Sequence, residues 1–299
     1  MKKITCIIVS YNTAQILKEC LDNLSSNYEN MEVIVVDNAS TDGSAEIVKS
    51  NYPNVLLIQS QNKGISYATN LALKQATGDF ILHLGTDAFP KKDDLIKMLS
   101  YMEDNQDVGI VTPRLVTRDG RPDMDAHRAF PTPLVAFCHF THLDRVLPKS
   151  PYLKTYFLEH ENLETRHEID LCISHFMLVR AEVYRDVPTW DEDYFVFGED
   201  VDFCYRVKSA KWRIMYLGDI TVLHYKGVSV GRPESRDIKT VSNSSIETRL
   251  KMRRATTQAM RLFYDKHYSK RYSKLVTFPI YLAINFLELF RIIKTRLGK

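Results

Sequence analysis

The sequence lacks the glycine-rich loops with which many proteins bind phosphate. Neither GxGxxG nor GxxxxGK[ST] occurs in its 299 residues, which disfavours a dinucleotide-dependent dehydrogenase and a P-loop nucleoside triphosphatase. A nucleotidyltransferase on a similar sheet would need a glycine- and lysine-rich triphosphate loop, and the sequence has none. A phosphate group can instead be neutralised by a divalent cation held on carboxylate and imidazole groups.

Cysteine is scarce, and its spacing excludes the common cysteine motifs. The five cysteines are widely spaced and form no CxxC pair, which argues against a structural zinc site or a CxxC redox site. We therefore expect buried thiols in a reducing compartment. A signal-peptide core is also missing, because the apolar run Ile4–Val9 is only six residues long. That run is better explained as a buried first strand.

Basic charge is concentrated at the end of the chain. The net charge is only +3, but residues 249–299 carry 13 of the 40 Lys and Arg and 2 of the 37 Asp and Glu. Within this tail, Leu275–Ile293 is strongly apolar yet contains Pro279, Asn285, Glu288 and Arg291. A membrane-spanning helix needs ~20 nearly uncharged residues, so we predict a helix in the membrane interface, flanked by the basic runs RLKMRR and KTRLGK. The alternative is a helix packed on the domain or at a dimer interface. No nucleic-acid recognition module accompanies these charges, so nucleic acid is not the expected partner.

The first part of the chain alternates between strand and helix patterns. Predicted strands at Ile4–Val9, MEVIVVD, VLLIQ and DFILHL are separated by predicted helices. Continuous apolar strands that alternate with helices indicate an α/β fold with a mostly parallel central sheet flanked by helices. After an irregular segment at 119–166, we predict a strand at IDLCISHFMLVR, a helix at Glu199–Ala210, and two strands at WRIMYL and ITVLHY.

Polar residues follow each of the first four predicted strands. The groups are Ser10-Tyr11-Asn12, Asp37-Asn38-Ala39-Ser40, Gln61-Asn62-Lys63-Gly64 and Thr86-Asp87. Ligands of parallel sheets bind at the carboxyl ends of the strands, so these groups are expected to line one crevice. Asp87 is the candidate for holding a divalent cation. The competing interpretation is an ordinary turn or helix-capping aspartate ahead of Pro90.

A second set of chemically useful residues lies between 195 and 231. Glu199, Asp200 and Asp202 crowd together where a loop enters the predicted helix. Neighbouring carboxylates raise each other's proton affinity, which suits a general base, although acids also favour helix amino termini for electrostatic reasons alone. His224 closes an apolar strand ahead of Lys226, Gly227 and Ser229. It is a candidate metal or diphosphate ligand, or else a structural histidine.

Taken in order, these motifs resemble a known family. The sequence resembles the inverting nucleotide-sugar glycosyltransferases of family 2, most closely their rhamnosyltransferase-like members. The motifs that carry the resemblance are IIVSYN, VDNAS with TDGS, NKGIS with ATN, the acid after the fourth strand, GED-D-C-R and H-KG-S. The match runs from about Ile4 to Ser229. The resemblance implies a GT-A fold, a UDP- or dTDP-sugar donor, and Mg²⁺ or Mn²⁺.

The resemblance also implies roles for individual residues. Asp37 would meet the pyrimidine base and Lys63 would lie near the diphosphate, in a nucleotide site made of Ser10, Tyr11, Asn12, Asp37, Asn38, Ser40, Lys63, Gly64 and Thr86. Asp87 and His224 would bind the metal. Asp200 would be the catalytic base, with Glu199 beside it, and His175 and Asp202 would lie on the acceptor side.

The sequence departs from the family pattern at two positions. The metal motif is Gly85-Thr86-Asp87, without its first acid, and His175 stands where relatives have a glycine-containing turn.

The resulting hypothesis is an inverting glycosyltransferase that acts in one displacement on a saccharide acceptor. We expect a catalytic domain over residues 1–240, with a nucleotide-binding half at 1–118 and an acceptor-binding half at 119–240, followed by a helical tail at 241–299. A basic and apolar tail is consistent with a cytoplasmic enzyme, peripheral on the inner face of the cell membrane, that uses a lipid-linked acceptor in cell-envelope polysaccharide synthesis. A homodimer through the tail is possible. Because Gly85 replaces an acid, the alternative is a catalytically silent protein that binds a nucleotide sugar or a partner glycosyltransferase.

Overall fold

The computed structural model describes residues 2–25, 28–141, 156–226 and 246–297. These residues fold around one nine-stranded sheet. The strands are β1 (Ile4–Ser10), β2 (Met31–Asp37), β3 (Val55–Gln59), β4 (Phe80–Leu84), β5 (Ala88–Phe89), β6 (Val108–Val116), β7 (Arg166–Glu168), β8 (Phe176–Arg180) and β9 (Arg213–His224). The helices are α1 (Ala14–Ser25), α2 (Ser44–Asn51), α3 (Ile65–Leu73), α4 (Lys92–Asp104), α5 (Pro133–Thr141), α6 (Val183–Asp186), α7 (Glu199–Ser209), α8 (Ile246–His267) and α9 (Lys274–Arg296).

The sheet is parallel in its first half and mixed in its second. Its order is β3-β2-β1-β4-β8-β6-β9-β5, with β7 paired to β9. Strands β1 to β4 are mutually parallel, whereas β8 runs antiparallel to both β4 and β6. The predicted α/β architecture is confirmed. The parallel pattern seen in the sequence belongs to the half that ends at β4.

Helices cover both faces of the first half of the sheet. Successive residues of β1 point to opposite faces: Cys6 packs in a cluster with Leu17 of α1, and Ile7 packs in a cluster with Ala68 of α3. This arrangement explains why β1 is apolar along its whole length. It also leaves the carboxyl ends of the strands as the accessible edge for a ligand.

A second hydrophobic cluster supports the half of the molecule after β4. The ring of Phe203, on α7, stacks on Trp190 at 4.7 Å and on Tyr184 at 5.5 Å, measured between ring centroids. Asn70 of α3 holds the same region, because its side chain accepts from Trp190 N and donates to Trp190 O, both at 2.9 Å. These contacts fix the amino terminus of α7, and with it Glu199.

Two predicted elements differ from the structure. The strands predicted at WRIMYL and ITVLHY are a single strand, β9, whose pairing with β6 shifts register between Pro113 and Arg114. The residues around Gly218, which separate the two predicted strands, lie within this register shift. The strand predicted over residues 169–180 is shorter, since only Phe176–Arg180 forms β8.

The tail forms an antiparallel helical pair on the second cluster. Phe263 and Tyr264 of α8 pack into that cluster, and α9 packs along α8. Among the described helices, α9 is the one long and apolar enough to cross a membrane by length and composition, and 6% of its most apolar stretch is buried. The predicted domain boundary at 240/241 lies outside the described residues, as do Gly227, Ser229 and residues 142–155 of the predicted insertion.

Candidate active site

The loops after β1 and β2 are tied together at one edge of the sheet. Asn12 N donates to Ser40 Oγ at 2.9 Å, and Thr41 N donates to Asn12 Oδ1 at 2.8 Å. Asn12 and Ala39 both adopt left-handed backbone conformations, with φ of 53° and 64°. In the adjacent register Ser10 lies opposite Asp37. The structure therefore brings the predicted residues of these two loops together.

The side chains at this edge retain polar atoms that a nucleotide can use. Asp37 is buried; its Oδ2 accepts from Ser40 N at 3.2 Å, while its Oδ1 has no hydrogen-bond partner in the described structure. Asn38 donates to Asn62 Oδ1 at 3.2 Å, which links the edge to the loop after β3. Tyr11 is half exposed. A buried carboxylate oxygen without a partner is costly, so a ligand donor at this point would be favourable.

The loop after β3 touches the segment that leads into α7. Lys63 Nζ lies 5.0 Å from the centre of the Tyr67 ring. Gly64 has φ of 102°, and a Cβ there would lie 2.5 Å from Phe195 O. Ile65 N also donates to Phe195 O at 2.9 Å. The glycine is thus required by a backbone contact, and this contact joins the predicted nucleotide loop to the loop that precedes Glu199.

Three candidate metal ligands converge at the end of β4. Donor atoms of Asp87, His175 and His224 lie within 4.8 Å of one another. Asp87 is fully buried, and its Oδ1 is 3.5 Å from His224 Nε2. Backbone pairing sets this arrangement, because Ala88 pairs with His224 across β5 and β9 and Gly85 N donates to His175 O at 2.9 Å. Carboxylate and imidazole donors at this spacing fit a divalent cation.

Two acids of the irregular segment, Asp123 and Asp125, form hydrogen bonds with His224 and Lys226. His224 Nδ1 donates to Asp123 Oδ2 at 2.9 Å, and Lys226 Nζ bonds Asp123 and Asp125 at 2.5 and 2.6 Å. Burial disfavours a charge on His224, but its hydrogen bonds to Asp123 and Asp87 raise its pKa to about 9. A cation that binds His224 Nε2 therefore displaces a proton. Sequence reasoning missed Asp123, because nothing in an irregular segment signals which strand end it will reach.

The amino terminus of α7 presents two buried carboxyl groups. Gly198 precedes them with φ of 85°. Burial, reinforced by the negative charge of Asp200, raises the pKa of Glu199 to about 8. Burial also raises the pKa of Asp200, which is opposed by the guanidinium of Arg128, whose Nη2 lies 3.7 Å from Asp200 Oδ2. The guanidinium of Arg128 thus favours the charge on Asp200, whereas burial and that negative charge favour the proton on Glu199.

His175 connects the two acidic centres. It interacts electrostatically with Asp87 and with Asp200, and its positive form would lower the pKa of each. Burial holds the pKa of His175 itself below its usual value. Asp87, the predicted metal ligand, and Asp200, the predicted base, are therefore both close enough to His175 to interact with it electrostatically. The sequence alone could not show this proximity.

Asp202 requires a correction, since its contacts indicate a structural role. It is 1% exposed, and its two carboxylate oxygens bond Arg206 Nε and His267 Nε2, both at 2.7 Å. Because both oxygens have partners, Asp202 is not placed to bind an acceptor as predicted. It joins α7 to α8 instead. The bond to His267 comes from a helix more than sixty residues along the chain, a contact that spacing within α7 could not indicate.

The comparison with protein families agrees with this geometry. The profile described as glycosyl transferase family 2 matches residues 5–187, more than half of the chain. The chain belongs to glycosyl transferase family 2. The matched segment of this family 2 glycosyltransferase contains Asp87 and His175 but ends before Asp200 and His224. The grouping of those last two residues with the matched segment rests on the structure.

Relatives of known description support the subgroup suggested by the motifs. This glycosyltransferase is 27% identical over 231 residues to rhamnosyltransferase WbbL of Escherichia coli strain K12, covering 73% of this chain and 82% of that protein. It is also 27% identical over 240 residues to N-acetylglucosaminyl-diphospho-decaprenol L-rhamnosyltransferase of Mycobacterium tuberculosis, covering 76% and 77%. The predicted rhamnosyltransferase-like resemblance is confirmed.

Solved structures confirm the GT-A fold. Mannosyltransferase PcManGT from Pyrobaculum calidifontis, in complex with GDP-Man and Mn²⁺, superposes with a TM-score of 0.53 at 18% identity, covering all of this chain and 88% of that one. S. aureus TarS 1–349 in complex with UDP-GlcNAc gives 0.52 at 19% identity, covering 89% and 73%. At these identities the likeness concerns the fold alone.

Proposed function

We propose that this glycosyltransferase moves a sugar from a UDP- or dTDP-sugar to a hydroxyl group of a saccharide acceptor, with inversion at the anomeric carbon. The observation that carries the proposal is the position of His175. Its donor atom lies within 4.8 Å of those of Asp87 and His224, and it also interacts electrostatically with Asp200. In this proposal Asp87 serves the cation and the diphosphate, and Asp200 receives the proton. Both relatives are named as rhamnosyltransferases, which supports transfer of a sugar as the activity.

The donor half binds the nucleotide and neutralises its diphosphate. Asp37 Oδ1 and the loop residues around Asn12 offer polar contacts to the base and ribose. Asp87 and His224 would hold Mg²⁺ or Mn²⁺, which when bound offsets the charge that develops on the departing diphosphate. The ion in the PcManGT complex and the nucleotide sugar in the TarS complex support such a donor.

The acceptor half supplies the base. Asp200 accepts the proton of the acceptor hydroxyl as its oxygen forms a bond to the anomeric carbon. The bond from that carbon to the diphosphate oxygen breaks in the same step, and its electron pair leaves with the nucleoside diphosphate. One displacement inverts the configuration. Glu199 keeps its proton, because burial and Asp200 hold its pKa near 8, so a second negative charge is avoided.

The tail is proposed to rest on an anionic membrane surface. The polar residues that interrupt its apolar sequence pair with α8: Glu288 accepts from Thr257 at 3.1 Å and Asn285 accepts from Arg261. The opposite face is apolar and exposed, and includes Leu275, Phe278, Leu282, Phe286, Leu289 and Ile293. Exposed basic residues at both ends of α9 would add attraction of ~1 kcal/mol each near such a surface. A surface position suits a lipid-linked acceptor, as the decaprenol in the name of one relative indicates for that protein.

Vesicle binding tests the proposed membrane surface. The full chain is expected to sediment with phosphatidylglycerol vesicles more than with phosphatidylcholine vesicles, and Phe278→Ser with Phe286→Ser is expected to weaken this binding. The control is Leu56→Ser, an exposed apolar residue on β3, which should bind as the parent does. If the double variant changes the oligomeric state and keeps its vesicle binding, α9 is a dimer interface and the membrane proposal fails.

Donor turnover tests the enzymatic proposal. The purified chain is incubated with UDP- and dTDP-sugars and a synthetic lipid-linked saccharide, with and without Mn²⁺, and nucleoside diphosphate release is measured beside the anomeric configuration of the product. We expect cation-dependent release and an inverted linkage. Donor binding without any turnover would identify the catalytically silent alternative, and a retained configuration would exclude a single displacement.

A further inference from the structure

We propose that His175 replaces the missing first acid of the metal motif, so that the cation site is formed by Asp87, His175 and His224 and prefers Mn²⁺ to Mg²⁺. The inference deepens the proposed function, on which it rests for the purpose of the cation. It concerns this chain's departures from the family pattern, Gly85 and His175, which the sequence presents as two separate anomalies.

The two anomalies occupy the same space. A Cβ built on Gly85 would lie 2.8 Å from His175 Cδ2, 3.3 Å from His175 Cβ and 2.8 Å from Asp87 Oδ1. An acid at position 85 would therefore collide with the imidazole that now lies there. The ring of His175 occupies the space that a side chain at position 85 would fill, so the two departures from the family pattern depend on each other.

Sheet pairing fixes the ring at this point. Strand β8 runs antiparallel to β4, with Leu84 paired to Phe176. The next residues outward, Gly85 and His175, are joined by the bond from Gly85 N to His175 O at 2.9 Å. The backbone thus places His175 across from the position of the absent acid, and its donor nitrogen falls within 4.8 Å of the Asp87 and His224 donors.

The neighbouring ligand is already oriented for coordination. Asp123 accepts from His224 Nδ1 at 2.9 Å, which turns Nε2 toward Asp87. A carboxylate behind a histidine is the common support of a metal-binding imidazole. The ring centroids of His175 and His224 are 5.2 Å apart, so the two imidazoles can meet one ion beside the carboxylate.

The donor set decides which ion is preferred. Mg²⁺ binds oxygen donors and keeps several waters, whereas imidazole nitrogen suits transition-metal ions such as Fe²⁺, Ni²⁺ and Zn²⁺, and Mn²⁺ is the first-row ion that also suits oxygen donors. Two nitrogens and one carboxylate therefore favour a transition-metal ion over Mg²⁺. Among these ions Mn²⁺ is also compatible with the oxygens of a diphosphate. The loss of the first acid at position 85 is therefore expected to weaken Mg²⁺ binding more than Mn²⁺ binding.

Pulsed paramagnetic resonance of bound Mn²⁺ tests the ligand count without any turnover. The full chain is measured with Mn²⁺, alone and with UDP, and two imidazole nitrogens are expected to couple to the ion. His175→Ala is expected to show one, and to lower the Mn²⁺ affinity by at least the ~10–100-fold that loss of a residue supporting a metal ligand causes. His160→Ala, an exposed histidine that pairs with Glu161, is the control and should keep both couplings. Equal nitrogen counts in the parent and His175→Ala, or no bound Mn²⁺ in either condition, would overturn the inference.

A residue exchange tests the same point in reverse. Gly85→Asp alone is expected to weaken Mn²⁺ binding, because the new Cβ meets the ring of His175. Gly85→Asp with His175→Gly should restore a binding site with one nitrogen and a smaller preference for Mn²⁺ over Mg²⁺. If Gly85→Asp alone binds Mn²⁺ as the parent does, the exchange model is wrong. A one-nitrogen site in an active enzyme would overturn this inference only, whereas a two-nitrogen site without donor turnover would overturn only the proposed function.

Discussion

At the scale of single residues, the site depends on which carboxyl group keeps its proton. Glu199 and Asp200 are adjacent and buried, and two charges there would repel. The guanidinium of Arg128, whose Nη2 lies 3.7 Å from Asp200 Oδ2, stabilises the charge on Asp200. Glu199 is left as the protonated partner. This division of roles leads to two predictions.

Glu199→Gln is expected to change how stability depends on pH. The pKa of Glu199 rises on folding from its ordinary 4.5 to about 8, so the folded state binds the extra proton and stability falls as pH increases between those two values. Gln cannot ionise, so the variant should lose less stability over that range. Urea denaturation at a series of pH values measures this. Parallel curves for variant and parent would contradict the assignment.

Arg128→Met is expected to move the pH dependence of transfer. The guanidinium opposes the burial that raises the pKa of Asp200, so its removal raises that pKa further and the base becomes available only at higher pH. The acidic limb of the turnover profile should shift upward in pH. Arg128→Lys keeps the charge and is the matched control. An unshifted limb in Arg128→Met would mean that Arg128 does not act on the base.

At the scale of elements, continuous apolar runs in the sequence correctly predicted the strands of the parallel half of the sheet. Strands β1 to β4 are present where continuous apolar runs occur, because a parallel strand buried on both faces has a strong signal in its own sequence. The antiparallel pairing of β4 with β8 has no such local signal. For that reason the sequence indicated Asp87 and His224 as metal ligands but not His175. The contact of Asp202 with His267 of α8 is also long-range, and the sequence did not indicate it.

The irregular segment limited the prediction of the site further. Asp123 and Arg128 reach the cleft from a stretch of turns and a short 3₁₀ helix, Met124–Ala126. Their positions depend on long-range contacts, such as the bond from His224 Nδ1 to Asp123. Residue type and spacing cannot supply those contacts, so only candidates on or next to predicted strands and helices were accessible from the sequence.

Asn70→Ala tests how the elements around the base are held. The substitution removes two hydrogen bonds between α3 and the buried Trp190 backbone. Leaving buried polar groups without partners costs about 1–3 kcal/mol each, so the free energy of unfolding is expected to fall by an amount in that range or above. Asn54→Ala, at an exposed asparagine, should have little effect. Equal urea midpoints for the two variants would contradict the proposed anchoring.

At the scale of the whole molecule, the two halves of the sheet meet at the cation site. Asp87 follows β4 in the parallel half, while in the mixed half His175 immediately precedes β8 and His224 is the last residue of β9. An ion bound there would join both halves. A ligand of the folded state stabilises it by ~2.7 kcal/mol at one hundred times its dissociation constant.

Mn²⁺ is therefore expected to raise the thermal midpoint of the intact chain. Asp87→Asn should abolish this increase, because it removes the one carboxylate among the three candidate ligands. Asp193→Asn, which changes an exposed acid paired with Lys266, should retain it. A midpoint that rises equally in Asp87→Asn would show that the ion binds elsewhere.

The central claim is that Asp200 takes the acceptor's proton in the cleft where Asp87 serves the donor. The most direct test compares Asp200→Asn with the parent for donor affinity and for acceptor-dependent release of nucleoside diphosphate, with Asp193→Asn as the matched amide control. The account predicts unchanged donor affinity and a loss of turnover of about 10²–10⁴-fold, the usual contribution of a general base. Turnover at the parental rate in Asp200→Asn would contradict it.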